Sequence, residues 1–242
     1  MLEFRGVSKS FDGTTVVHPL DLSIEPGCVA VLLGPSGCGK TTILRMVAGL
    51  VAATSGQIVV DALPLGRMTV AAVRRKLGYV IQEGGLFPHL TAVENVTLMS
   101  RHDGWPRRRI DERLAQLVEM TQFPAAALDR YPNELSGGQR QRLSLMRALF
   151  LSPRILLLDE PLGALDPLIR AGLQRDLRDV FARSGATVLL VTHDLVEAGR
   201  LADRVFLMNA GRIVQQGPLA EIIDKPADAF VREFVSSQMV AP

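Results

Sequence analysis

The sequence predicts an α/β fold with a mainly parallel central sheet. Three short, almost purely apolar runs support this prediction, and each has a helical pattern beside it: Cys28–Leu33, Ile155–Leu158 and Thr187–Val191. A continuous apolar run of this length is typical of a strand that is buried on both faces, as strands of a parallel sheet are. Alternation of such strands with helices defines the α/β class.

Antiparallel strands are predicted near both ends of the chain. The first 27 residues contain short strand patterns around the turn signal Phe11-Asp12-Gly13-Thr14. Near the end, two apolar runs flank Asn209-Ala210-Gly211, which is typical of a β-hairpin. Between residues 86 and 150 the apolar residues recur at helical spacing. We therefore expect a helical subdomain at 86–150, inserted into an α/β core with a β subdomain at 1–85 and 151–242.

The bulk composition indicates an ordinary globular domain. The 242 residues are 48% hydrophobic and 21% charged, and the formal net charge of +2 does not favour nucleic acid as a partner. No apolar run approaches the ~18–20 residues that cross a bilayer, and the first residues lack the apolar core of a signal peptide. Cys28 and Cys38 are expected to lie too far apart for a disulfide, which suits a reducing cytosol.

The stretch Gly34–Thr41 matches the pattern G-x-x-x-x-G-K-[ST], between a predicted strand and a helix predicted over Thr41–Leu50. Glycines let successive backbone N–H groups turn onto phosphate oxygens, and the helix N-terminus adds its dipole. Lys40 would place a charge on the β- and γ-phosphates, and the Thr41 hydroxyl would bind Mg²⁺. This predicts the core of a P-loop NTPase, whose nucleotide-binding residues are Gly34, Pro35, Ser36, Gly37, Cys38, Gly39, Lys40, Thr41 and Thr42.

Two acids and a histidine follow the other two buried runs. Asp159 ends the second run, where it can hold Mg²⁺ beside the glycine-rich loop. Because neighbouring strand residues point in different directions, Glu160 is expected to do another job, namely to orient and deprotonate the attacking water. His193 follows the third run and is placed to reach a γ-phosphate. A structural ion pair of Glu160 and a purely structural His193 are the alternatives.

A second glycine-rich stretch, Leu135-Ser136-Gly137-Gly138-Gln139, is predicted to begin a helix. Ser136 and Gln139 fit the capping-box pattern, and a well-capped helix is the simpler interpretation. Capping requires neither glycine, however, and glycines lower helix stability. Two glycines at a helix N-terminus leave its N–H groups open to an incoming anion.

This stretch is the signature of the ATP-binding cassette family, and the whole chain resembles the nucleotide-binding subunit of an ABC transporter. The other motifs of that family occur in order: Phe11 for adenine stacking, Gly34–Thr41 as Walker A, Gln82 in the Q-loop, Ile155–Glu160 as Walker B, Gly163–Asp166 as D-loop with Asp166, and His193 as the switch histidine. The resemblance implies an ATPase with ATP and Mg²⁺ as cofactors.

The resemblance also assigns roles to these residues. It implies catalytic residues Lys40, Gln82, Glu160 and His193, and metal ligands Thr41, Gln82 and Asp159. It further implies that two subunits pair head to tail, so that Leu135, Ser136, Gly137, Gly138 and Gln139 close over the ATP of the partner. The subunit would then be catalytically incomplete by itself.

Within this family the chain is similar to importer subunits that serve quaternary amines such as glycine betaine and choline. This similarity rests on Arg74–Gln82, Gly85–Thr91 and Phe230–Val235. It implies a homodimer or paired ATPase subunit at the cytoplasmic face of the membrane, and indirectly a solute-binding protein. It also implies permease subunits that bind near Leu86, Phe87 and Pro88. The C-terminal regulatory pair of CBS modules of many such ATPases is not expected, because the sequence ends at Pro242.

Several alternatives remain open at this point. The solute could be another small molecule, such as an amino acid, and the chain could be a soluble cassette ATPase of iron–sulfur assembly. Leu86, Phe87 and Pro88 could be ordinary subdomain core. A switch GTPase is disfavoured because no N-K-x-D motif occurs in the sequence.

Overall fold

Two sheets form the framework of the protein. The computed structural model describes residues 1–82, 84–163 and 167–239, with the backbone only for 167–169 and 171; Asp166 of the predicted D-loop lies outside the described residues. The strands of the described residues are β1 (Leu2–Phe11), β2 (Thr14–Ile24), β3 (Val29–Leu33), β4 (Ser55–Val60), β5 (Leu63–Pro64), β6 (Leu77–Val80), β7 (Ile155–Asp159), β8 (Thr187–Thr192), β9 (Arg204–Asn209) and β10 (Arg212–Gly217).

The central sheet has the strand order β10-β9-β3-β8-β7-β6. Strands β6, β7, β8, β3 and β9 run parallel, and β10 pairs antiparallel with β9. The three predicted apolar runs correspond to β3, β7 and β8, and all residues of these strands are buried. The predicted hairpin is β9–β10. The α/β prediction is therefore confirmed.

Strand β6 is a part of this sheet that the sequence did not predict. Its sequence, Leu-Gly-Tyr-Val, alternates between half-buried and buried residues instead of forming an apolar run. The glycine has a tertiary cause, because a Cβ on Gly78 would lie 2.4 Å from the carbonyl oxygen of Ala148. The close approach of Ala148, in a helix that packs on the strand, thus requires glycine at position 78. The local sequence pattern does not reveal such a contact.

A second, antiparallel sheet has the order β2-β1-β4-β5. The turn at Asp12 and Gly13, both with positive φ, connects β1 to β2 as predicted. The prediction of short strands is wrong: β1 and β2 have 10 and 11 residues. Register shifts at bulges let these long strands twist without losing their pairing. Strands β4 and β5, which were not predicted, complete the sheet.

The helices are placed between and beyond the strands of the central sheet. They are α1 (Lys40–Val47), α2 (Val70–Arg74), α3 (Ala92–His102), α4 (Arg107–Thr121), α5 (Gly137–Leu149), α6 (Pro167–Ser184), α7 (Leu195–Leu201), α8 (Leu219–Asp224) and α9 (Ala229–Met239), with 3₁₀ turns at Ala125–Ala127 and Pro132–Glu134. None of the described helices combines the length and the apolarity needed to cross a bilayer.

Helix α1 is shorter than predicted. It ends at Val47 instead of Leu50 because Gly49 adopts φ +66°, and the Leu50 N–H turns back to the Arg45 carbonyl at 2.9 Å. This arrangement is typical of a glycine that stops a helix.

Residues 86–150, all of which are described, contain α3, α4 and α5 and no strand. The helical content predicted there is confirmed. Apolar side chains from this region share one buried cluster with side chains of β7 and β8. The division into a core and a subdomain therefore stays a prediction.

The parallel strands bring the candidate residues to one edge of the sheet. Successive residues of β3 alternate between two apolar layers, with Val31 and Leu33 in one and Ala30 and Leu32 in the other. The register pairs Leu33 with Thr192 and Asp159 with Val191. The segments that follow β3, β7 and β8 consequently emerge side by side.

Candidate active site

The loop between β3 and α1 requires glycine at two positions. Gly34 has φ +152° and Gly39 has φ +104°, which L side chains rarely adopt. A Cβ on Gly34 would lie 2.3 Å from the Met208 carbonyl oxygen, and one on Gly39 would lie 2.9 Å from the Val16 carbonyl oxygen. The loop backbone is thus packed directly on β9 and β2, which fixes its shape.

Lys40 is buried beneath this loop. Lys40 is the first residue of α1 and is 4% exposed. Its ammonium donates to the carbonyls of Gly34 at 2.7 Å and Pro35 at 2.8 Å. The Cys38 sulfur lies 3.7 Å from the same nitrogen. Cys28 and Cys38 are both free thiols, as predicted.

Thr41 and Asp159 meet across the loop. The Thr41 hydroxyl donates to Asp159 Oδ1 at 2.8 Å, which joins residues 118 positions apart. Burial raises the pKa of Asp159, and the hydrogen bond from Thr41 opposes that shift. Burial, with the Asp159 charge next in size, also raises the pKa of Tyr79 to about 12. Tyr79, on the unpredicted strand β6, is therefore a neighbour of this pair that the sequence did not reveal.

Glu160 is set apart from Asp159 by a change of backbone conformation and not by the predicted alternation along a strand. Strand β7 ends at Asp159, so the alternation of strand side chains does not extend to Glu160. Glu160 adopts φ +45°, in the left-handed region that is uncommon for residues other than glycine, and its N–H donates to the Val191 carbonyl at 3.0 Å. Its carboxylate Oε1 lies 3.5 Å from Nδ1 of the half-exposed His193. The two residues thus face each other at the edge of the sheet.

A buried carboxyl supports the segment after β8. Thr192 Oγ1 donates to Glu197 Oε2 at 2.5 Å and accepts from the Asp194 N–H at 3.0 Å. Burial raises the pKa of Glu197 from 4.5 to about 7. Its other oxygen, Oε1, is buried without a hydrogen-bond partner among the described residues.

The substitution Glu197→Gln is expected to stabilise the protein more at high pH than at low pH. The raised pKa means that the folded state favours the protonated carboxyl. The contribution of Glu197 to the free energy of unfolding is therefore complete below pH 4.5 and is lost as pH rises through about 7. Glutamine stays neutral, and the difference in unfolding free energy between variant and wild type should grow to roughly 2–3 kcal/mol at about pH 8. Urea unfolding across this range measures it, with the exposed Glu119→Gln as control. A difference that does not depend on pH would contradict the assignment.

The signature residues begin α5 as predicted. The Gln139 N–H donates to Ser136 Oγ at 3.2 Å, and the Ser136 N–H donates to Gln139 Oε1 at 2.9 Å, which is the predicted capping box. Gly137 and Gly138 are the first two helical residues, and Leu135 is buried. No hydrogen bond connects this signature to the Gly34–Gly39 loop in the described part of the chain.

Gln82 is exposed and follows β6 by two residues, at the edge where Glu160 follows β7. The segment after it is hydrogen-bonded to side chains of α5. Arg147 donates to the carbonyls of Gly84 and Gly85, both at 2.8 Å, and the Ser144 hydroxyl donates to the Gly84 carbonyl at 3.2 Å. The helix that carries the signature thus contacts the segment that carries Gln82.

Leu86, Phe87 and Pro88 continue this segment at the surface. Leu86 is half-buried and packs against the core, whereas Pro88 is exposed and Phe87 is 42% exposed. The Phe87 N–H donates to Asn95 Oδ1 at 2.8 Å, and the buried Asn95 amide donates to the Phe87 carbonyl at 3.0 Å. The apolar ring is therefore held at the surface by a rigid backbone.

Phe11 lies at the end of β1, with its ring 42% exposed. The Lys9 ammonium covers the ring at 4.6 Å from its centroid. The Val16 carbonyl that packs on Gly39 belongs to β2, the strand that follows the turn after Phe11, so β2 connects this turn to the loop in space.

The sheet order and the Gly34–Thr41 loop define the protein as a P-loop nucleotide-binding protein. Residues 17–163 match the ABC transporter family, and the chain belongs to that family. The resemblance inferred from the motifs is thereby confirmed.

Known relatives agree with this family. The glycine betaine/carnitine/choline transport ATP-binding protein OpuCA of Bacillus subtilis (strain 168) is 42% identical over 98% of this chain and 63% of its own length. The Fe(3+) ions import ATP-binding protein FbpC 2 of Rhodococcus jostii (strain RHA1) is 44% identical over 99% of this chain and 68% of its own length. The chain thus spans less than two thirds of OpuCA.

A solved structure supports the fold. The ATP-binding cassette MJ0796, in a dimeric post-hydrolysis state bound to ADP and Pi, superposes with a TM-score of 0.81 at 30% identity. The match covers 90% of this chain and 99% of that cassette. The predicted P-loop NTPase fold is confirmed.

Proposed function

We propose that the chain is the ATP-hydrolysing subunit of an ABC importer. The observation that carries this proposal is the 2.8 Å hydrogen bond between Thr41 and Asp159, which joins the two phosphate- and metal-binding motifs. Lys40, Glu160 and His193 lie around the same sheet edge, so the groups needed for phosphoryl transfer to water converge there.

The residues around Thr41 fit magnesium bound together with ATP. Thr41, Asp159 and Gln82 offer hydroxyl, carboxylate and amide oxygens, the ligand type that Mg²⁺ prefers. Burial raises the pKa of Asp159, and a nearby cation would oppose this shift because it favours the charged carboxylate. When bound, the metal neutralises charge on the phosphate oxygens.

The loop supplies the contacts to the phosphates. The Lys40 ammonium, now hydrogen-bonded to two loop carbonyls, would exchange these for charge-assisted bonds to phosphate oxygens, which are stronger. Backbone N–H groups of the Gly34–Thr41 loop and the N-terminus of α1 would donate to the same oxygens. Phe11 offers one open ring face for adenine, since Lys9 covers the other.

Glu160 and His193 act on the attacking water and the γ-phosphate. The Glu160 carboxylate accepts a proton from the water, while His193, 3.5 Å away, donates to a γ-phosphate oxygen. Gln82 helps to orient the water from the neighbouring strand. Catalysis is thereby mainly positioning and charge stabilisation.

The signature serves a second copy of the chain. Ser136 is exposed, and Gly137 and Gly138 leave the N-terminus of α5 free of side chains, so a phosphate of the partner's ATP can approach its N–H groups. The dimeric state of MJ0796 supports a pair of this kind. We propose a head-to-tail homodimer or a pair with a related ATPase subunit.

The membrane partner is a permease that binds at Leu86, Phe87 and Pro88. Phe87 and Ile81 are both exposed apolar side chains near the Gln82 segment. Arg147 and Asn95 hold this segment, so force applied there reaches both α5 and Gln82. The subunit would lie peripherally at the cytoplasmic face, would contact the solute-binding protein only indirectly, and would not bind nucleic acid.

The solute that the comparisons favour is a quaternary-amine osmoprotectant, because OpuCA is named for glycine betaine, carnitine and choline. Ferric ion is a second candidate, because FbpC 2 has a similar identity. The permease and the binding protein choose the solute, so the ATPase sequence separates these candidates only weakly.

Uptake by membrane vesicles tests this function. Vesicles that enclose this chain on its permease, with ATP and Mg²⁺ inside, are expected to accumulate labelled glycine betaine that is supplied outside together with the solute-binding protein. Accumulation of ferric ion instead would select the second candidate. Uptake of neither solute, in vesicles where the chain co-purifies with the permease, would reject both assignments.

A further inference from the structure

The last helix holds the segment that carries His193. Gln238, in the final turn of α9, donates from Nε2 to the His193 carbonyl at 2.7 Å and accepts at Oε1 from the Leu195 N–H at 2.8 Å. One amide therefore bonds to both ends of the three-residue segment His193–Leu195, which lies 43–45 positions earlier in the chain.

These bonds satisfy backbone groups that the segment itself leaves open. The first N–H groups of a helix have no partner within the helix. The Asp194 carboxylate accepts from the N–H groups of Val196 and Glu197, which leaves the Leu195 N–H at the start of α7 to Gln238. The His193 carbonyl lies just beyond the end of β8, and Gln238 satisfies it too.

The helix that carries Gln238 is itself anchored. Val231, Phe234 and Val235 of α9 are buried in the same cluster as Ala198 and Leu201 of α7. Because these apolar contacts fix α9 against α7, the position of the Gln238 amide is set by packing. A side chain on a packed helix can hold the backbone beside it in one conformation.

We propose that Gln238 is a positioning residue for His193. It fixes the two peptide groups that flank Asp194, the first of which contains the His193 carbonyl, and thereby sets the distance from the imidazole to Glu160 and to the γ-phosphate. This inference rests on the proposed ATPase function. Its consequence is that the rate of hydrolysis depends on the docking of α9, a helix that contributes no group to the phosphate site.

The substitution Gln238→Met tests the proposal in the full chain. Methionine has nearly the same length and helix propensity but forms neither hydrogen bond. We expect kcat for ATP hydrolysis to fall about 10-fold, with KM for ATP and ATP-dependent dimerisation unchanged. The matched control is Ser236→Ala on the same helix. Its hydroxyl donates to the Arg232 carbonyl of that helix, and the substitution should change kcat less than about twofold. An unchanged kcat in Gln238→Met would overturn the proposal.

A double-mutant cycle asks whether the effect passes through His193. In a His193→Ala background, Gln238→Met should cause no further loss of kcat, because the side chain that it positions is absent. Losses that multiply would instead mean that Gln238 acts on the fold in general, which overturns the positioning role.

Amide exchange separates this inference from the proposed function. Gln238→Met should speed hydrogen exchange at the Leu195 N–H about 10-fold, whereas Ser236→Ala should not. A wild-type protein without ATPase activity would refute the proposed function, and the exchange measurement would still decide whether Gln238 holds the segment. Unchanged exchange at Leu195 would overturn the inference even if the ATPase is active.

Discussion

Glu160→Gln is expected to reduce ATP hydrolysis by at least about 100-fold while ATP binding is retained. General-base catalysis contributes about 10²–10⁴-fold, and an amide of the same shape cannot accept the proton of the attacking water. Glutamine can keep the backbone of this position and a polar contact with His193, so the site itself should remain intact. Because the ATP then persists at the interface, the variant should accumulate as an ATP-bound dimer.

Two measurements check this prediction. Phosphate release in a single turnover gives the rate, and size-exclusion chromatography with and without ATP gives the dimer. Glu119→Gln is the matched control, since Glu119 is exposed and pairs with Arg183 at the surface. Hydrolysis at the wild-type rate in Glu160→Gln would contradict the role of base and favour the structural alternative.

The sequence is sufficient to predict the central strands and the sheet edge that carries the candidate site. Strands β3, β7 and β8 are buried on both faces, so their residues are apolar except at the strand ends Asp159, Thr187 and Thr192, and their pattern is unambiguous. The residues that end parallel strands meet at one edge, and this placed Asp159, Glu160 and His193 near the loop before any coordinates were known. These predictions succeed because the apolar run of each buried strand, and the residue that follows it, can be read from a short stretch of sequence.

Features that depend on distant contacts were not predictable in this way. Gly78 is small because Ala148 approaches it, and this glycine hides β6 from a search for apolar runs. Glu160 diverges from Asp159 through a left-handed backbone that the Val191 carbonyl stabilises. Gln238 carries no motif, and only the fold brings it to His193. In each case the partner lies far along the chain, where periodicity has no information.

The signature differs from both groups, because its proposed ligand lies outside the chain. The capping box explains Ser136 and Gln139 completely within one subunit. It does not explain Gly137 and Gly138, the first two residues of the helix, since capping requires neither glycine and glycine lowers helix propensity. Two glycines at the start of a helix are consistent with a close approach by another molecule. A mixing experiment can test whether that molecule is the ATP of a partner chain.

Ser136→Arg and Lys40→Ala are each expected to abolish ATP hydrolysis, and an equimolar mixture of the two is expected to recover about one quarter of the wild-type rate. Random pairing of equimolar chains makes about half of the dimers mixed, and a two-fold pair has two equivalent sites. In each mixed dimer one site combines the intact Lys40 of one chain with the intact Ser136 of the other, while the second site carries both changes. If each chain's signature served its own ATP, no site in the mixture would be intact.

The control for this experiment is a mixture of Ser136→Arg with the double variant Lys40→Ala/Ser136→Arg, which contains no intact composite site and should stay inactive. Loss of the Ser136 cap costs about 1 kcal/mol, so thermal unfolding must first show that both single variants are folded. Steady-state phosphate release then decides the matter. Activity in the first mixture but not in the control requires that Ser136 and Lys40 act on one ATP from different chains. Inactivity of both mixtures, with folded proteins that pair, would mean that the signature does not complete a partner's site.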